Sequence, residues 1–196
     1  MMATEKINIC VFGASSRNLR QEYIDDSYHL GSLMAKRGWR RLNGAGRDGL
    51  MRAVSDGVLD AGGEAVGVIP QFMIDNQWQY DRLTSIIATG SMHERKLSLA
   101  RMSQAVIALP GGCGTMEELL EAITWRQLNL APKPIVLLNT LGYYDHLEAM
   151  LNHSIDHGFM KQSHHRLWSM AQNPEQALEL IAQELSQPSR TIESKY

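Results

Sequence analysis

The sequence predicts an α/β fold, a doubly wound parallel sheet in a single domain. Three observations carry that reading. Short apolar runs alternate with amphipathic stretches of about 12–18 residues, the spacing of βαβ units. The breaks after those runs carry glycine or begin with proline, as strand-to-helix turns require. The 196 residues can close one core without a disulfide or metal, and no internal repeat or low-complexity block divides them.

The elements follow in order. Ile7–Phe12 is apolar and ends at Gly13, a buried strand. A helix follows over about Arg20 to Arg37, with Tyr23, Ser27, Leu30 and Met34 on one stripe, and Gly38 stops it. Trp39–Asn43 is a second strand, closed by Gly44-Ala45-Gly46. A helix near Asp48–Ala61 ends at Gly62-Gly63. Glu64–Ile69 is a third strand, stopped by Pro70. Gln71 to Tyr80 has no clear period and reads as a loop or short lid. Leu83–Ala88 is a fourth strand, Met92–Met102 a helix and Ala105–Leu109 a fifth strand. A long helix runs from about Thr115 to Leu130, with Leu119, Ile123, and Leu120 with Thr124, as its core stripe. After Pro132 and Pro134, Ile135–Leu138 is a sixth strand and Tyr143–His157 a helix ended by Gly158. A short strand near Leu167–Met170 and a helix near Pro174–Leu185 complete the domain, expected over residues 1–186. Residues 187–196 read as a polar tail.

Composition narrows the function. The chain is 44% hydrophobic and 20% charged with a formal net charge of −2. No Lys/Arg run supplies a basic footprint, so neither a nucleic acid nor a membrane surface is expected as a partner. No run approaches the roughly 18 apolar residues of a membrane-spanning helix. Met1 to Lys6 lacks the apolar stretch of a signal peptide, and the expected compartment is the cytoplasm. Cys10 and Cys113 form no C-x-x-C pair, and Cys10 reads as a core thiol. His153 and His157 have a metal-compatible i, i+4 spacing and His164-His165 follow, but no third ligand completes a pattern. Surface or packing roles are expected for them, and no metal or other cofactor.

In doubly wound sheets ligands bind beyond the carboxyl ends of the strands. The richest loop there is Leu109-Pro110-Gly111-Gly112-Cys113-Gly114-Thr115, with three glycines between a buried strand and a helix. Glycine lets the backbone approach a ligand closely, and the loop's N–H groups with the helix start can surround an anion. The plainer alternative is a well-capped helix after a tight turn, because Thr115 and Glu118 have capping-box spacing. Neither usual nucleotide fingerprint is complete. No lysine follows in G-K-[ST] style, and Gly13-Ala14-Ser15-Ser16 does not complete G-x-G-x-x-G. A single phosphate loop suits a mononucleotide or sugar phosphate. Ser91-Met92-His93-Glu94-Arg95-Lys96 opens a helix at the same sheet edge. Two cations at a helix start call for an anionic ligand or a carboxylate, or form a solvated charged turn. Glu117 and Glu118 point about 100° apart on their helix, so the two do not serve one ligand equally.

These motifs resemble the paired signature of the LONELY GUY (LOG) family: Met92-His93-Glu94-Arg95-Lys96, then Pro110-Gly111-Gly112-x-Gly114-Thr115-x-x-Glu118. The similarity extends through Gly67-Val68-Ile69-Pro70, Thr124-Trp125-x-Gln127-Leu128 and Gly142-Tyr143-Tyr144-Asp145, from about Ile7 to Phe159. The family is one of cytokinin riboside 5′-monophosphate phosphoribohydrolases, often mislabelled lysine decarboxylases. The resemblance implies a Rossmann-like fold, a homodimer, and hydrolysis of the N-glycosidic bond of a nucleoside 5′-monophosphate. It implies Arg95 and Glu118 as the catalytic pair, with Gly111, Gly112, Cys113, Gly114 and Thr115 on the phosphate and Lys96, Glu117 and Thr124 nearby. Gly13, Ser15, Gly46, Met92 and His93 are candidates beside the base. Arg95 can hold the phosphate, orient Glu118 or assist the departing base.

Cys113 departs from the aromatic residue usual at its position, and the loops at Gly13-Ala14-Ser15-Ser16 and Arg52 also differ. These departures leave the base preference open between a prenylated adenine, AMP and other monophosphates. Two alternatives stand beside hydrolysis. One is a non-catalytic carrier of a nucleotide or molybdenum cofactor. The other is a lysine decarboxylase, which needs a pyridoxal-phosphate lysine and an acidic partner that the motifs do not assemble. The helix carrying Trp125 and Leu128 can supply a dimer surface or pack within the chain.

Overall fold

Successive side chains of a strand point to opposite faces, and β1 (Asn8–Phe12) buries both. Ile9 and Val11 enter one core, Cys10 and Phe12 the other. The same division runs through β5 (Ala105–Ala108) and β6 (Ile135–Leu138). Ile107, Val136 and Leu138 join the first core; Val106, Ala108, Ile135 and Leu137 join the second. A strand covered on both faces must be apolar throughout, which makes these runs continuous in the sequence.

The computed structural model describes residues 6–187. With β2 (Arg40–Asn43), β3 (Ala65–Pro70), β4 (Ser85–Thr89) and β7 (Ser169–Ala171), the sheet has seven parallel strands in the order β4-β3-β2-β1-β5-β6-β7. Helices α1 (Gln21–Lys36) and α2 (Gly49–Asp60) cover the first face through Leu30, Met34, Leu50, Val54 and Val58. They cross closely at Gly31 and Gly57: a Cβ at either would stand about 2 Å from a carbonyl oxygen of the other helix. The short α3 (Gln71–Asp75) follows β3. Helices α4 (Met92–Met102), α5 (Cys113–Gln127) and α6 (Asp145–Asp156) cover the second face through Leu99, Leu119, Ile123, Leu151 and Ile155. Helix α7 (Pro174–Leu185) returns to the first through Leu178 and Ile181.

This order creates a switch point. The chain lays down β1 to β4 outward in one direction, then returns to set β5 against the other side of β1. A crevice opens at the carboxyl ends of the two strands where the direction reverses. Phe12 pairs with Ala108 in the register, so the loop after β1 lies beside the loop after β5. The Ala14 N–H donates to the Pro110 carbonyl at 3.0 Å, and the Leu50 N–H donates to the Ala14 carbonyl at 2.8 Å. Both glycine-bearing loops are thus joined to the start of α2.

Several local expectations change. Gln71–Tyr80 is not simply a loop: Pro70 ends β3, paired with Thr89, and also caps α3. The segment then lies across the β2–α2 loop, the Tyr80 N–H donating to the Ala45 carbonyl at 2.9 Å. Helix α6 starts at Asp145, two residues later than expected, because Thr140–Gly142 form a 3-10 turn with Leu141 and Gly142 at φ 55° and 72°. Gln162–Arg166 form a second 3-10 turn that the sequence reading missed. The last strand begins at Ser169, because Leu167 is buried in the second core. Leu120 and Thr124, expected in the α5 stripe, are exposed, and the stripe is Leu119, Ile123 and Arg126. The expected polar tail lies outside the described residues apart from Gln187. Among the described residues no helix is long and apolar enough to cross a membrane.

Candidate active site

Helix α5 starts earlier than Thr115, and that changes what its first turn does. Gly112 is the N-cap, with no side-chain cap, and Cys113 is the first helical residue. Thr115 therefore sits inside the first turn, so it is not the cap, and the expected capping box with Glu118 does not form. Among the described residues, none of the N–H groups of Gly111, Gly112, Cys113, Gly114 and Thr115 has an acceptor in the chain. Five unspent donors at a helix start are an anion cradle. Cβ atoms at Gly112 and Gly114 would meet nothing within 4 Å, so space lies open in front of the loop. At Gly111 a Cβ would lie 2.1 Å from the Thr115 Oγ1, so only glycine fits there beside the buried Thr115.

Glu118 lies one turn beyond Gly114. Residues i and i+4 share a helix face, and helical side chains lean toward the N-terminus. Glu118 therefore leans toward the open side of the loop, over a residue with no side chain to block it. Arg95, in the first turn of α4, donates from Nη2 to its Oε1 at 2.9 Å. The two side chains are 11% and 14% exposed, so water screens this pair little. Burial raises the Glu118 carboxyl above the ordinary glutamate range, and the facing Arg95 guanidinium opposes that rise.

Gly44 makes room for the arginine. A Cβ there would lie 2.2 Å from Arg95 Nη2, so the guanidinium rests directly on the backbone of the β2–α2 loop. Nη1 reaches the Met92 Sδ at 3.6 Å, and Nε has no partner among the described residues. Lys96 and Glu117 form a second, outer pair. Lys96 Nζ donates to Glu117 Oε1 at 2.6 Å and to Glu121 Oε1 at 3.1 Å, and these bonds, the Glu117 one foremost, raise its pKa. The 100° between Glu117 and Glu118 thus serves two cations.

Other expected residues are dispersed. Thr124 stands about 16 Å along α5 from Cys113 by helical rise, and its hydroxyl donates to the Leu120 carbonyl. It does not reach the loop. Gly13 is buried against Leu109, while Ser15, Cys113 and His93 are exposed at the mouth. Gly46 packs against Met51. Trp125 is half-buried and lines a pocket between α4, α5 and the sheet that also touches Glu118, Cys10 and Phe12. The buried Cys10 thiol is raised well above its ordinary pKa by desolvation, consistent with a core role. His164 is buried, its Nδ1 accepting from the Lys161 N–H, which makes it a packing residue. Two tyrosines went unassigned in the sequence: Tyr143 donates to the Gly111 carbonyl at 2.6 Å and Tyr144 to the Leu109 carbonyl at 2.7 Å. Their signal was present in the Gly142-Tyr143-Tyr144-Asp145 segment, without a role attached to it.

A family model described as "Possible lysine decarboxylase" matches residues 51–181. The cytokinin riboside 5′-monophosphate phosphoribohydrolase LOG5 of Arabidopsis thaliana is 40% identical over 173 residues, which cover 88% of this chain and 76% of that protein. LOG2 of the same plant is 38% identical, over 88% of this chain and 81% of its own. This chain belongs to the LOG family. Among solved structures, the LOG-family chain resembles the molybdenum cofactor binding protein of Rippkaea orientalis with TM-score 0.74 and 26% identity, over 94% of this chain and all of that one. The molybdenum cofactor carrier protein of Chlamydomonas reinhardtii gives TM-score 0.73 at 26% identity, over 93% of this chain and 100% of that one.

Proposed function

We propose that this chain hydrolyses the N-glycosidic bond of a nucleoside 5′-monophosphate, a cytokinin riboside 5′-monophosphate or AMP, to the free base and ribose 5-phosphate. The observation that carries the reading is the buried Arg95–Glu118 pair one helical turn from a loop with five unspent N–H groups. The loop from Gly111 to Thr115 holds the 5′-phosphate, and the sugar extends toward Glu118. Cleavage develops positive charge on the ribose, as in glycoside hydrolysis. The Glu118 carboxylate stabilises that charge and accepts a proton from the attacking water. The water oxygen bonds to C1′, the C1′–N bond breaks with its electron pair going to the base, and the proton that Glu118 took from the water passes to the base, directly or through solvent, which restores the carboxylate. Arg95 keeps Glu118 ionised and oriented. Phosphate binding, remote from the bond that breaks, positions the sugar.

The relatives' names and the motif pair support hydrolysis. Lysine decarboxylation would need an amine free to form a Schiff base. Lys96 is engaged by two carboxylates that raise its pKa, and Lys133 donates to the Ala100 carbonyl. The solved relatives favour a second reading, a cofactor carrier of the same fold. The buried Arg95–Glu118 pair supports hydrolysis over it, because perturbed carboxylates paired with a cation cluster at catalytic sites. The exposed Leu97, Leu120 and Leu130 on and after α4 and α5 support a homodimer formed across that side. The proposed compartment is the cytoplasm.

The test is a panel of nucleoside monophosphates, including AMP and isopentenyladenosine monophosphate, with free base followed by chromatography. Glu118→Gln should slow release by roughly 10²- to 10⁴-fold while binding the nucleotide nearly as well as wild type. Absence of base release across the panel would leave the carrier reading.

A further inference from the structure

Three successive carbonyls of the glycine loop are each held by one donor. The Pro110 carbonyl accepts from the Ala14 N–H at 3.0 Å, the Gly112 carbonyl from the Met116 N–H at 3.0 Å, and the Gly111 carbonyl between them from the Tyr143 hydroxyl at 2.6 Å. A trans peptide holds its C=O and the following N–H antiparallel. Fixing these carbonyls therefore aims the N–H groups of Gly111, Gly112 and Cys113 the opposite way from the three tethers. Two tethers are main chain and come with the fold. The middle one is a side chain, and its peptide is flanked by two glycines, the residues least able to resist rotation.

Tyr143 is 37% exposed, and two neighbouring rings seat its inner side. Its ring meets Tyr144 edge-on at 5.1 Å and Tyr23 at 6.1 Å. Tyr144 is fully buried, its hydroxyl on the Leu109 carbonyl and its N–H on Asn139 Oδ1 at 2.7 Å. Asn139 in turn donates to Asp145 Oδ1 at 2.7 Å, closing the turn whose left-handed Leu141 and Gly142 precede the tyrosines. The ordered turn thus delivers the Tyr143 hydroxyl to the Gly111 carbonyl.

We propose that Tyr143 is a positioning residue that locks the Gly111–Gly112 peptide with its N–H toward the 5′-phosphate, and so sets affinity for phosphorylated substrates alone. This rests on the loop's proposed role as the phosphate site. The experiment compares Tyr143→Phe with wild type in three readouts: calorimetric binding of ribose 5-phosphate, KM and kcat for AMP, and kcat/KM for adenosine. The phenyl ring keeps the packing and removes only the donor. The expected result is a roughly three- to tenfold weaker Kd for ribose 5-phosphate and a matching rise in KM for AMP. The kcat for AMP, the rate with adenosine and the melting temperature should stay at wild-type values. An unchanged Kd would overturn the proposal. So would an equal loss on AMP and adenosine, the mark of a general structural defect. Calorimetry reads the clamp without turnover, so a wild type that binds ribose 5-phosphate but releases no base counts against hydrolysis alone.

Discussion

Replacing Gly44 with alanine places a methyl group 2.2 Å from Arg95 Nη2 and 2.7 Å from Cζ, with no chemistry added at the site. The guanidinium must retreat by about 1 Å to reach ordinary contact, and its 2.9 Å bond to Glu118 breaks or turns away. A misplacement of that size costs roughly 100-fold in rate, about 2.7 kcal/mol of transition-state stabilisation. The fold should tolerate the change. Gly44 does not have a left-handed φ, and the displaced atoms are the far end of a flexible side chain. The melting temperature is expected to fall by less than about 4 °C. The assay is steady-state base release by wild type, Gly44→Ala, Glu118→Gln and the double variant. If Gly44 acts only through the pair, the double variant is no slower than Glu118→Gln alone. A Gly44→Ala kcat within threefold of wild type, or losses that multiply in the double variant, would refute the reasoning.

The pH profile of kcat/KM should fall on the acid side with a midpoint above about 4.3, the ordinary glutamate value, because burial favours the protonated Glu118 and water activation needs the ionised form. A midpoint at or below that value would remove Glu118 from the base role. Gly57→Ala puts a Cβ 1.9 Å from the Tyr28 carbonyl oxygen, backbone against backbone, and should cost about 3 kcal/mol in urea unfolding. An unchanged midpoint would contradict the close crossing of α1 and α2. Arg41 is fully buried, has no carboxylate partner among the described residues, and donates to Ser55 Oγ at 2.5 Å; burial pushes its guanidinium pKa down to about 9. Arg41→Met should leave stability unchanged or raise it by up to about 2 kcal/mol, and a loss above about 1 kcal/mol would show the charge to be stabilising.

Much of this protein can be read along the chain. The strands at Ile135–Leu138 and Ala105–Ala108 and the helices at Met92–Met102 and Pro174–Leu185 are legible because burial on two faces or one stripe leaves a period that neighbours in sequence share. Gly111, Arg95 and Glu118 are legible through the resemblance to the LOG signature, because their spacing alone left a capped helix and a solvated charged turn open. Cap positions are less so: three glycines allowed α5 to start two residues before Thr115, and no local signal chose between the starts. Thr124 shared a motif with the site residues, yet helical rise carries it out of reach of the loop. What the tertiary structure alone decided is long-range. The switch point between β1 and β5 depends on strand order. The seat for Arg95 comes from Gly44, 51 positions earlier in the chain, and the Gly111 tether from Tyr143, 32 positions later. Such contacts leave no period in the sequence, because two residues that meet only through the sheet constrain each other's shape and hydrogen bonding without constraining the residues between them.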